Sequence, residues 1–371
     1  MLKIGVIGCG YASKNYHFPV IEAIDEVELA WVADVDADSA RTIGSKYGVE
    51  WYTDPETAVE ATPDVVHVNT PPFTHADLTV SALRAGAHVL VEKPMAMTEG
   101  ECESMISVAE ETGQKLSVVH NNLFFDPMEE VLDDVYAGEY GTIHSVRSFI
   151  GGAPNPDDIP GKDRSWVDES HGGPIGDRLP HPTYLVTHFF DDVSDPCVNV
   201  DLTDDGTLMG ASVQVADGDR FGSIHVTERA LPGKSIIITG SEKMAVVDLF
   251  NYSAVTYDTL DRSPFSMVLD NFGAAGQLTK GTVENAIDYA RDVTSEGSKY
   301  PAPGHYNLIR RFVASIESDT PVPIDPSEGV KVVRVLDQID RQARAQSETG
   351  QRAADEPSQL LHTATAPQIV L

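Results

Sequence analysis

The sequence predicts an α/β protein of two domains, in which an N-terminal doubly wound parallel sheet precedes an α+β domain built on a mostly antiparallel open sheet. Apolar strands alternate with helical segments up to about residue 119, which is typical of a parallel sheet covered by helices on both faces. From about Pro127 onward, apolar and polar residues alternate within strands that turn signals separate, as in an antiparallel sheet. The 371 residues suffice for both domains.

The first element is a short apolar strand that runs directly into the turn Gly8-Cys9-Gly10 and a predicted helix from Ala12 onward. A strand, a glycine turn and a helix in this order are typical of a dinucleotide-binding unit. Gly8 permits the tight turn, and Gly10 lets the backbone approach a pyrophosphate at the helix N-terminus. The third glycine of the fingerprint is absent, because Ser13 occupies its position.

The second strand, Val27–Val35, carries an acidic residue near its end. Asp34 lies 24 residues beyond Gly10, where a carboxylate accepts hydrogen bonds from the adenosine ribose hydroxyls. No arginine directly follows Asp34 to bind a 2′-phosphate, so NAD is favoured and NADP stays possible. The alternative interpretation makes Asp34 and Asp36 ordinary turn acids of a very acidic protein.

Strands and helices continue to alternate up to about residue 119. The predicted elements are helix 39–47, strand 65–69, helix 76–85, strand 88–91, helix 99–112 and strand 116–119. Gly48, Gly86 and Gly113 end the three helices. Ligands of doubly wound sheets bind at the carboxyl ends of the strands, and three polar stretches follow such ends, at 69–72, 92–94 and 120–122.

One long stretch, VNTPPFTHADLTVSALRAGAHVLVEKP (Val68–Pro94), together with GVIGCGYAS and VADVDADSA before it, closely resembles the Gfo/Idh/MocA family of oxidoreductases. The likeness continues in HGGPIGDRLPH (His171–His181) and in GHYNLIRRFVASI (Gly304–Ile316), so it spans most of residues 1–340. The resemblance implies an NAD(P)-binding Rossmann domain and an α+β domain whose open sheet face often forms the oligomer interface. A homodimer or homotetramer is therefore expected.

The predicted boundaries are 1–122 for the NAD(P)-binding domain, 123–345 for the substrate-binding and oligomerisation domain, and 346–371 for a tail. The elements predicted for the second domain are helix 128–137, strands 143–149, 207–215, 221–229, 235–239 and 245–249, and helices 303–318 and 327–346. The tail is polar, rich in Ala, Ser and Thr, and without a clear period, so we expect loose order there.

Lys93 and His181 are the candidates for acid–base catalysis. Transfer of hydride from a secondary alcohol to a nicotinamide requires a group that takes the hydroxyl proton. Lys93 follows a strand and precedes Pro94, which directs it toward the expected nicotinamide position, although a surface lysine is the plain alternative. The resemblance implies that Asp177 orients substrate hydroxyls and that His181 works with Lys93. If Pro174 begins a helix, Asp177 and His181 share one face of it.

The resemblance also implies a set of cofactor contacts. The strand-end residues 70–72 are expected near the ribose and phosphates, Glu92 at the nicotinamide ribose and Asn121 at the nicotinamide end. The full cofactor set is Gly8, Gly10, Tyr11, Ala12, Asp34, Thr70, Pro71, Pro72, His75, Glu92, Lys93 and Asn121.

The chain departs from the family pattern at several positions. Tyr184 stands where an aspartate is common, and Leu123, Phe124 and Val167 stand where arginines are frequent. Fewer cations in the pocket favour a neutral substrate, which we expect to be a polyol, sugar or glycoside.

Composition excludes several partners. With 26 Lys and Arg against 58 Asp and Glu, the formal net charge is −32, which repels nucleic acid and anionic membranes. Such an acidic balance resembles that of proteins from salt-loving organisms. The three cysteines are widely separated and predict neither a disulfide framework nor a metal site. The chain shows no leader and no apolar run of 18 residues, so a cytoplasmic protein is expected.

The sequence therefore predicts an NAD-dependent dehydrogenase that acts on CH–OH groups of sugar-like molecules. Two alternatives stay open. One is a nicotinamide-binding regulatory or sensor protein without catalysis, which the joint presence of Lys93, Asp177 and His181 disfavours. The other is a reductase of a non-sugar ketone, or an enzyme that keeps its cofactor bound and shuttles hydride between sugars.

Overall fold

The computed structural model describes residues 1–61, 63–152, 170–258, 272–279, 281–283 and 302–355. Its first sheet has six strands, namely β1 (Leu2–Ile7), β2 (Val27–Ala33), β3 (Glu50–Tyr52), β4 (Val65–Val68), β5 (His88–Val91) and β6 (Leu116–Val118). They lie in the order β3-β2-β1-β4-β5-β6 and all pair in parallel. The order reverses between β1 and β4, which opens a crevice at the carboxyl ends of the strands.

The helices of this domain begin and end largely where local sequence signals predict. They are α1 (Phe18–Ala23), α2 (Ala37–Tyr47), α3 (Pro55–Val59), α4 (His75–Arg84) and α5 (Glu99–Thr112). Asp36 caps α2 by accepting two backbone N–H groups, and Thr98 and Glu101 form a capping box at α5. Gly48 and Gly113 adopt the left-handed conformation that ends these two helices.

The helix that follows the glycine turn begins where predicted but contains a π-helical segment. Tyr11 and Ala12 are already helical, Ser13–His17 forms a π-helix in which the N–H of Phe18 donates to the carbonyl of Ser13, and α1 continues from it. Pro19 lacks an N–H and so cannot continue a regular ladder from the preceding turn. The wider turn places Tyr16 at the crevice and His17 in the core; π-bulges are frequent at functional sites.

The second sheet confirms the predicted mostly antiparallel architecture. Its strands are β7 (Ile143–Gly151), β8 (Cys197–Leu202), β9 (Leu208–Asp217), β10 (Arg220–Thr227), β11 (Gly233–Gly240), β12 (Lys243–Asp248) and β13 (Ser253–Asp258). They lie in the order β13-β12-β11-β7-β10-β9-β8. The central pair of β7 and β10 is parallel, and the other pairs are antiparallel.

The remaining helices are α6 (Asp126–Tyr136), α7 (Pro180–Thr187), α8 (Pro303–Glu317) and α9 (Pro326–Asp355). A short 3₁₀ turn over Gly173–Ile175 precedes α7, so Asp177 and His181 do not share one helix as predicted. Pro180 and Pro182 lie on either side of His181. A proline fits only the first turn of a helix, so α7 begins at Pro180. Helix α9 continues nine residues past its predicted end at Gln346.

Helix α9 connects the two domains. It contacts α5 and β6 of the first domain and α7 and β8 of the second, and its apolar face buries Val332, Val335, Leu336 and Ile339. The ammonium of Lys331 donates to the carbonyls of Thr187 and Phe190 at the end of α7. Among the described residues, no helix combines the length and apolar character needed to cross a bilayer.

Candidate active site

A cleft of about 1140 Å³ lies at the carboxyl ends of the parallel strands and receives residues from both domains. Ligand pockets commonly measure roughly 300–1000 Å³, so this cleft has room for a dinucleotide together with a second small molecule. The predicted cofactor residues line it, with the exception of His75. Asp177 and His181 line the same cleft from the second domain.

The glycine turn forms the floor of the cleft. Gly8 has a φ of +97°, and a Cβ on it would lie 2.6 Å from the carbonyl oxygen of Asn69, so both backbone conformation and close approach require glycine. A Cβ on Gly10 would meet no protein atom within 4 Å. Close approach of a pyrophosphate would account for a glycine at position 10, which makes the turn fit the expected cofactor.

Ser13 compensates for the missing third glycine. Its hydroxyl donates to the carbonyl oxygen of Gly8 at 2.5 Å and accepts from the side-chain amide of Asn69 at 2.9 Å. Ser13 is fully buried, so the small side chain allows helix and strand to pack closely while the hydroxyl ties the turn to the end of β4.

Asp34 lies at the end of β2 and faces the cleft. One carboxylate oxygen accepts the N–H of Cys9 at 2.7 Å, and the other accepts the N–H of Asp36 at 2.9 Å. A carboxylate has about four acceptor positions, so acceptor capacity is left for ribose hydroxyls. Asp34 thus has two tasks, since it also holds the glycine turn.

His75 does not take the predicted place beside the cofactor. Its side chain is fully buried, and its two ring nitrogens bond the carbonyl oxygens of Pro94 at 2.9 Å and Thr70 at 2.8 Å. Burial lowers the pKa of His75. The residue therefore holds the loops after β4 and β5 together from behind, because its position at the start of α4 points the ring into the protein.

Lys93 and Asp177 meet across the domain boundary. The ammonium of Lys93 donates to Asp177 Oδ1 at 2.7 Å and to the backbone carbonyl of Asp177 at 3.0 Å. Both side chains are largely buried, with 13% and 17% exposure. A charge-assisted bond of this length orients the lysine firmly, and the Lys93–Pro94 peptide bond is cis.

A hydrogen-bonded network determines the proton position on His181. Lys234 Nζ donates to Asn122 Oδ1 at 3.0 Å. Because an ammonium cannot accept, the amide oxygen must face Lys234, and Asn122 Nδ2 then donates to His181 Nδ1 at 3.2 Å. The neutral imidazole therefore carries its proton on Nε2. Burial first, and then the charges of Lys93 and Lys234, hold the pKa of His181 well below its usual value.

Tyr184, which replaces the aspartate common in the family, supports this network from below the cleft. It is 1% exposed, its hydroxyl lies 3.0 Å from His181 Nδ1, and it donates to Asn121 Oδ1 at 3.1 Å. The hydroxyl oxygen of Tyr184 also accepts the N–H of Asn122 at 3.1 Å. Tyr184 thus positions His181 and Asn121.

Glu92 lies within a cluster of histidines. His17 Nε2 is 3.1 Å from Glu92 Oε1, and His305 Nε2 is 3.7 Å from the same oxygen. Burial raises the pKa of Glu92, but hydrogen bonds from His17 and His305 outweigh it and hold the pKa well below its usual value. His67 contacts the second nitrogen of His17 at 3.0 Å.

The same cluster has the donor set of a metal site, which the sequence analysis did not predict. One ligand atom each from His17, Glu92 and His305 lies within 4.8 Å of the others, and two imidazoles with one carboxylate are a common zinc donor set. The three residues come from distant parts of the chain, so no local spacing signalled their convergence.

Several residues of the cleft have no signal in the sequence. Lys234 is the second residue of β11 and follows an ordinary Pro-Gly turn. Tyr16 and His305 stack at a ring separation of 4.5 Å although they are far apart in the chain. Three positions where the family frequently has arginines were noted in the sequence. Leu123 and Phe124 are buried apolar residues, whereas Val167 lies outside the described residues.

Comparison with known proteins agrees with this geometry. The model of the Gfo/Idh/MocA family, described as an oxidoreductase family with an NAD-binding Rossmann fold, matches residues 2–120. D-glucoside 3-dehydrogenase of Escherichia coli strain K12 is 31% identical over 145 residues, which are 38% of this chain and 41% of that protein. The alignment thus spans about two-fifths of that relative's length.

Two further proteins align along most of the chain. The uncharacterized oxidoreductase ORF334 of Rhizobium meliloti is 24% identical over 358 residues, which are 92% of this chain and 97% of that protein. An oxidoreductase from Agrobacterium radiobacter, solved with NAD⁺, L-tartaric acid and magnesium, has a TM-score of 0.73 at 16% identity and covers 92% of this chain and 96% of its own. The likeness to that structure confirms the fold. The parallel sheet and the glycine turn of residues 2–120 agree with the NAD-binding Rossmann fold that the Gfo/Idh/MocA family model describes.

Proposed function

We propose that the protein is an NAD-dependent dehydrogenase that transfers hydride between the nicotinamide and a CH–OH or ketone carbon of a sugar, polyol or glycoside. The observation that carries the proposal is the pairing of Lys93 with Asp177 at 2.7 Å in the cleft that also contains the glycine turn and His181. A protein that only sensed the cofactor would need the first domain alone. The sugar class is supported by the similarity to a D-glucoside 3-dehydrogenase.

Each residue has a distinct task in this proposal. Gly8, Gly10 and Asp34 bind the adenosine half of the cofactor, whose nicotinamide accepts the hydride. Lys93 Nζ, in its neutral form, takes the hydroxyl proton as the carbon–oxygen double bond forms, and its ammonium returns a proton to the ketone oxygen in reduction. Asp177 holds Lys93 and accepts from substrate hydroxyls. His181 presents its Nε2–H to the substrate oxygen.

The test is a screen of sugars, polyols and glycosides with NAD and with NADP at low and molar salt, followed by NADH absorbance. We expect turnover with NAD and at least one sugar-like alcohol. Tight binding of NADH without turnover of any compound would favour the sensor, and turnover of non-sugar ketones alone would favour the reductase alternative.

We further propose a homodimer or homotetramer in the cytoplasm of a salt-loving cell, with the domain boundary at residues 122 and 123. Phe149, Ile237 and Val246 lie on one face of the second sheet and are only half-buried in the single chain, which supports an interface there. Light scattering during gel filtration in molar salt measures the mass, and a monomer would contradict the proposal.

A further inference from the structure

Lys234 is a cation in the cleft that has no carboxylate partner within the described part of the chain. Its Nζ makes one hydrogen bond, to the neutral amide oxygen of Asn122 at 3.0 Å, and lies 5.7 Å from the ring centre of Phe125. Lys93, by contrast, is bonded to Asp177. In a chain with 58 acidic and 26 basic residues, a lysine without an acidic neighbour is unusual.

The surroundings of Lys234 disfavour its charge. Burial first, and then the neighbouring charge of Lys93, lower the pKa of Lys234 to about 8. A partly desolvated ammonium next to a second ammonium gains free energy when an anion arrives, because the attraction is strong where water is scarce. The cleft therefore offers an oxyanion a favourable position at this point.

The position of Lys234 assigns that oxyanion to the substrate. Asn122 links Lys234 to His181 through two hydrogen bonds, of 3.0 Å and 3.2 Å, so Lys234 lies one amide away from a proposed catalytic group. The cofactor phosphates are expected at Gly10, and the adenosine ribose at Asp34, both in the other domain. An anion at Lys234 is therefore separate from the cofactor pyrophosphate.

Building on the proposed function, we propose that Lys234 binds an oxyanion substituent of the substrate, so that the preferred substrates are sugar acids or sugar phosphates and not neutral sugars. This reverses the expectation of a neutral substrate, which rested on the absence of arginines at positions 123, 124 and 167. Lys234 supplies a positive charge from a strand of the second domain instead.

The experiment compares matched pairs of substrates in the wild type and in Lys234→Met. Glucuronate with glucose, and galacturonate with galactose, test a carboxylate, and glucose 6-phosphate with glucose tests a phosphate. We expect the wild type to prefer one anionic member of a pair. Lys234→Met should reduce that ratio of kcat/KM by about 10- to 100-fold, the usual worth of a hydrogen bond to a charged group.

The decisive quantity is the ratio of kcat/KM for the anionic over the neutral substrate. Lys234→Met also frees the Asn122 amide and can slow the reaction of both members of a pair. Lys234→Arg keeps the charge and should keep most of the preference. Lys46→Met removes one positive charge from an exposed position and should leave the ratio unchanged. Preference of the wild type for the neutral members, or an unchanged ratio in Lys234→Met, would overturn the proposal.

A binding measurement separates this proposal from the proposed function. Glucuronate and glucose 6-phosphate are titrated into the enzyme–NADH complex, and NADH fluorescence is followed. Binding that depends on Lys234 without any turnover would leave the oxyanion site standing and refute the dehydrogenase. Turnover of neutral sugars without binding of either anion would refute the oxyanion site and support the dehydrogenase. Equal NADH affinity in wild type and Lys234→Met is expected, and a large loss would assign Lys234 to the cofactor.

Discussion

At the scale of single residues, Lys93 is the side chain on which the proposed chemistry depends. Its ammonium is held at 2.7 Å by Asp177, while other residues are proposed to bind the adenosine half of the cofactor. Lys93→Met should therefore leave NADH affinity nearly intact and lower turnover by about 10² to 10⁴, the usual effect of a positioned acid or base. Fluorescence titration of NADH and steady-state rates measure the two quantities.

Two neighbouring variants and a control refine this prediction. His181→Ala should slow turnover less, since water can replace its Nε2–H. Asp177→Ala should also raise KM, because its proposed task includes accepting from substrate hydroxyls. Lys46→Met serves as the control for lost charge. A Lys93→Met enzyme of nearly wild-type rate would remove this lysine from the mechanism, and one that no longer bound NADH would make it a cofactor anchor.

Asp34 should determine the preference for NAD over NADP. Its carboxylate repels a 2′-phosphate, but it also accepts the N–H of Cys9 at 2.7 Å, so Asp34→Ser changes both charge and turn. Asp34→Asn removes the charge and keeps one oxygen acceptor for the N–H of Cys9, but it replaces the other acceptor with a donor amide. We expect both variants to narrow the ratio of kcat/KM for NAD over NADP, with less loss of NAD activity in Asp34→Asn. Equal use of both cofactors by the wild type would refute the prediction.

At the scale of secondary-structure elements, the buried imidazole of His171 joins α9 to the segment before α5. His171 Nδ1 lies 2.6 Å from Asp340 Oδ2 of α9, and its Nε2 lies 2.6 Å from the carbonyl oxygen of Met97 before α5. Both neighbours are acceptors, so the doubly protonated ring satisfies both contacts. Burial lowers the pKa of His171, but the bond to Asp340 and its charge outweigh burial and raise it above 6.5.

This pair predicts a pH-dependent contribution to stability. Because the folded pKa is raised, the contribution is complete below pH 6.5 and is lost as the pH rises through the folded pKa. Asp340→Asn should therefore lower the free energy of unfolding by about 2 kcal/mol at a pH near 6 and by less near 9. Asp201→Asn, which breaks a surface pair with Arg229, is the control. Equal losses at both pH values would contradict the assignment.

At the scale of the whole molecule, the net charge of −32 dominates. Mutual repulsion of carboxylates destabilises the compact state, and salt shortens its range from about 10 Å at 0.1 M to about 3 Å at 1 M. The thermal midpoint, followed by circular dichroism, should rise by several degrees between about 0.1 M and 3 M KCl. Sucrose of matched osmolality is the control, and a midpoint independent of KCl would refute the prediction.

The amino-acid sequence by itself determined the elements and the first half of the site. Strand periodicity, the Gly8 turn, the caps at Asp36 and Thr98 and the glycine helix ends depend on residues adjacent in the chain, so local chemistry decides them. Strands β3, β8 and β13 were not predicted. All three lie at sheet edges, where pairing with a neighbouring strand stabilises them.

Only the tertiary structure decided which side chains meet. His181 and Asn122 are 59 residues apart, and Lys234 and Asn122 are 112 apart, so no local pattern links them. His75 follows the expected motif, yet packing turned its ring toward two buried carbonyls. Side-chain direction, desolvation and the proton position on His181 arise from contacts between distant segments. For that physical reason, sequence named candidates for the chemistry, and the fold alone placed Lys234 beside them.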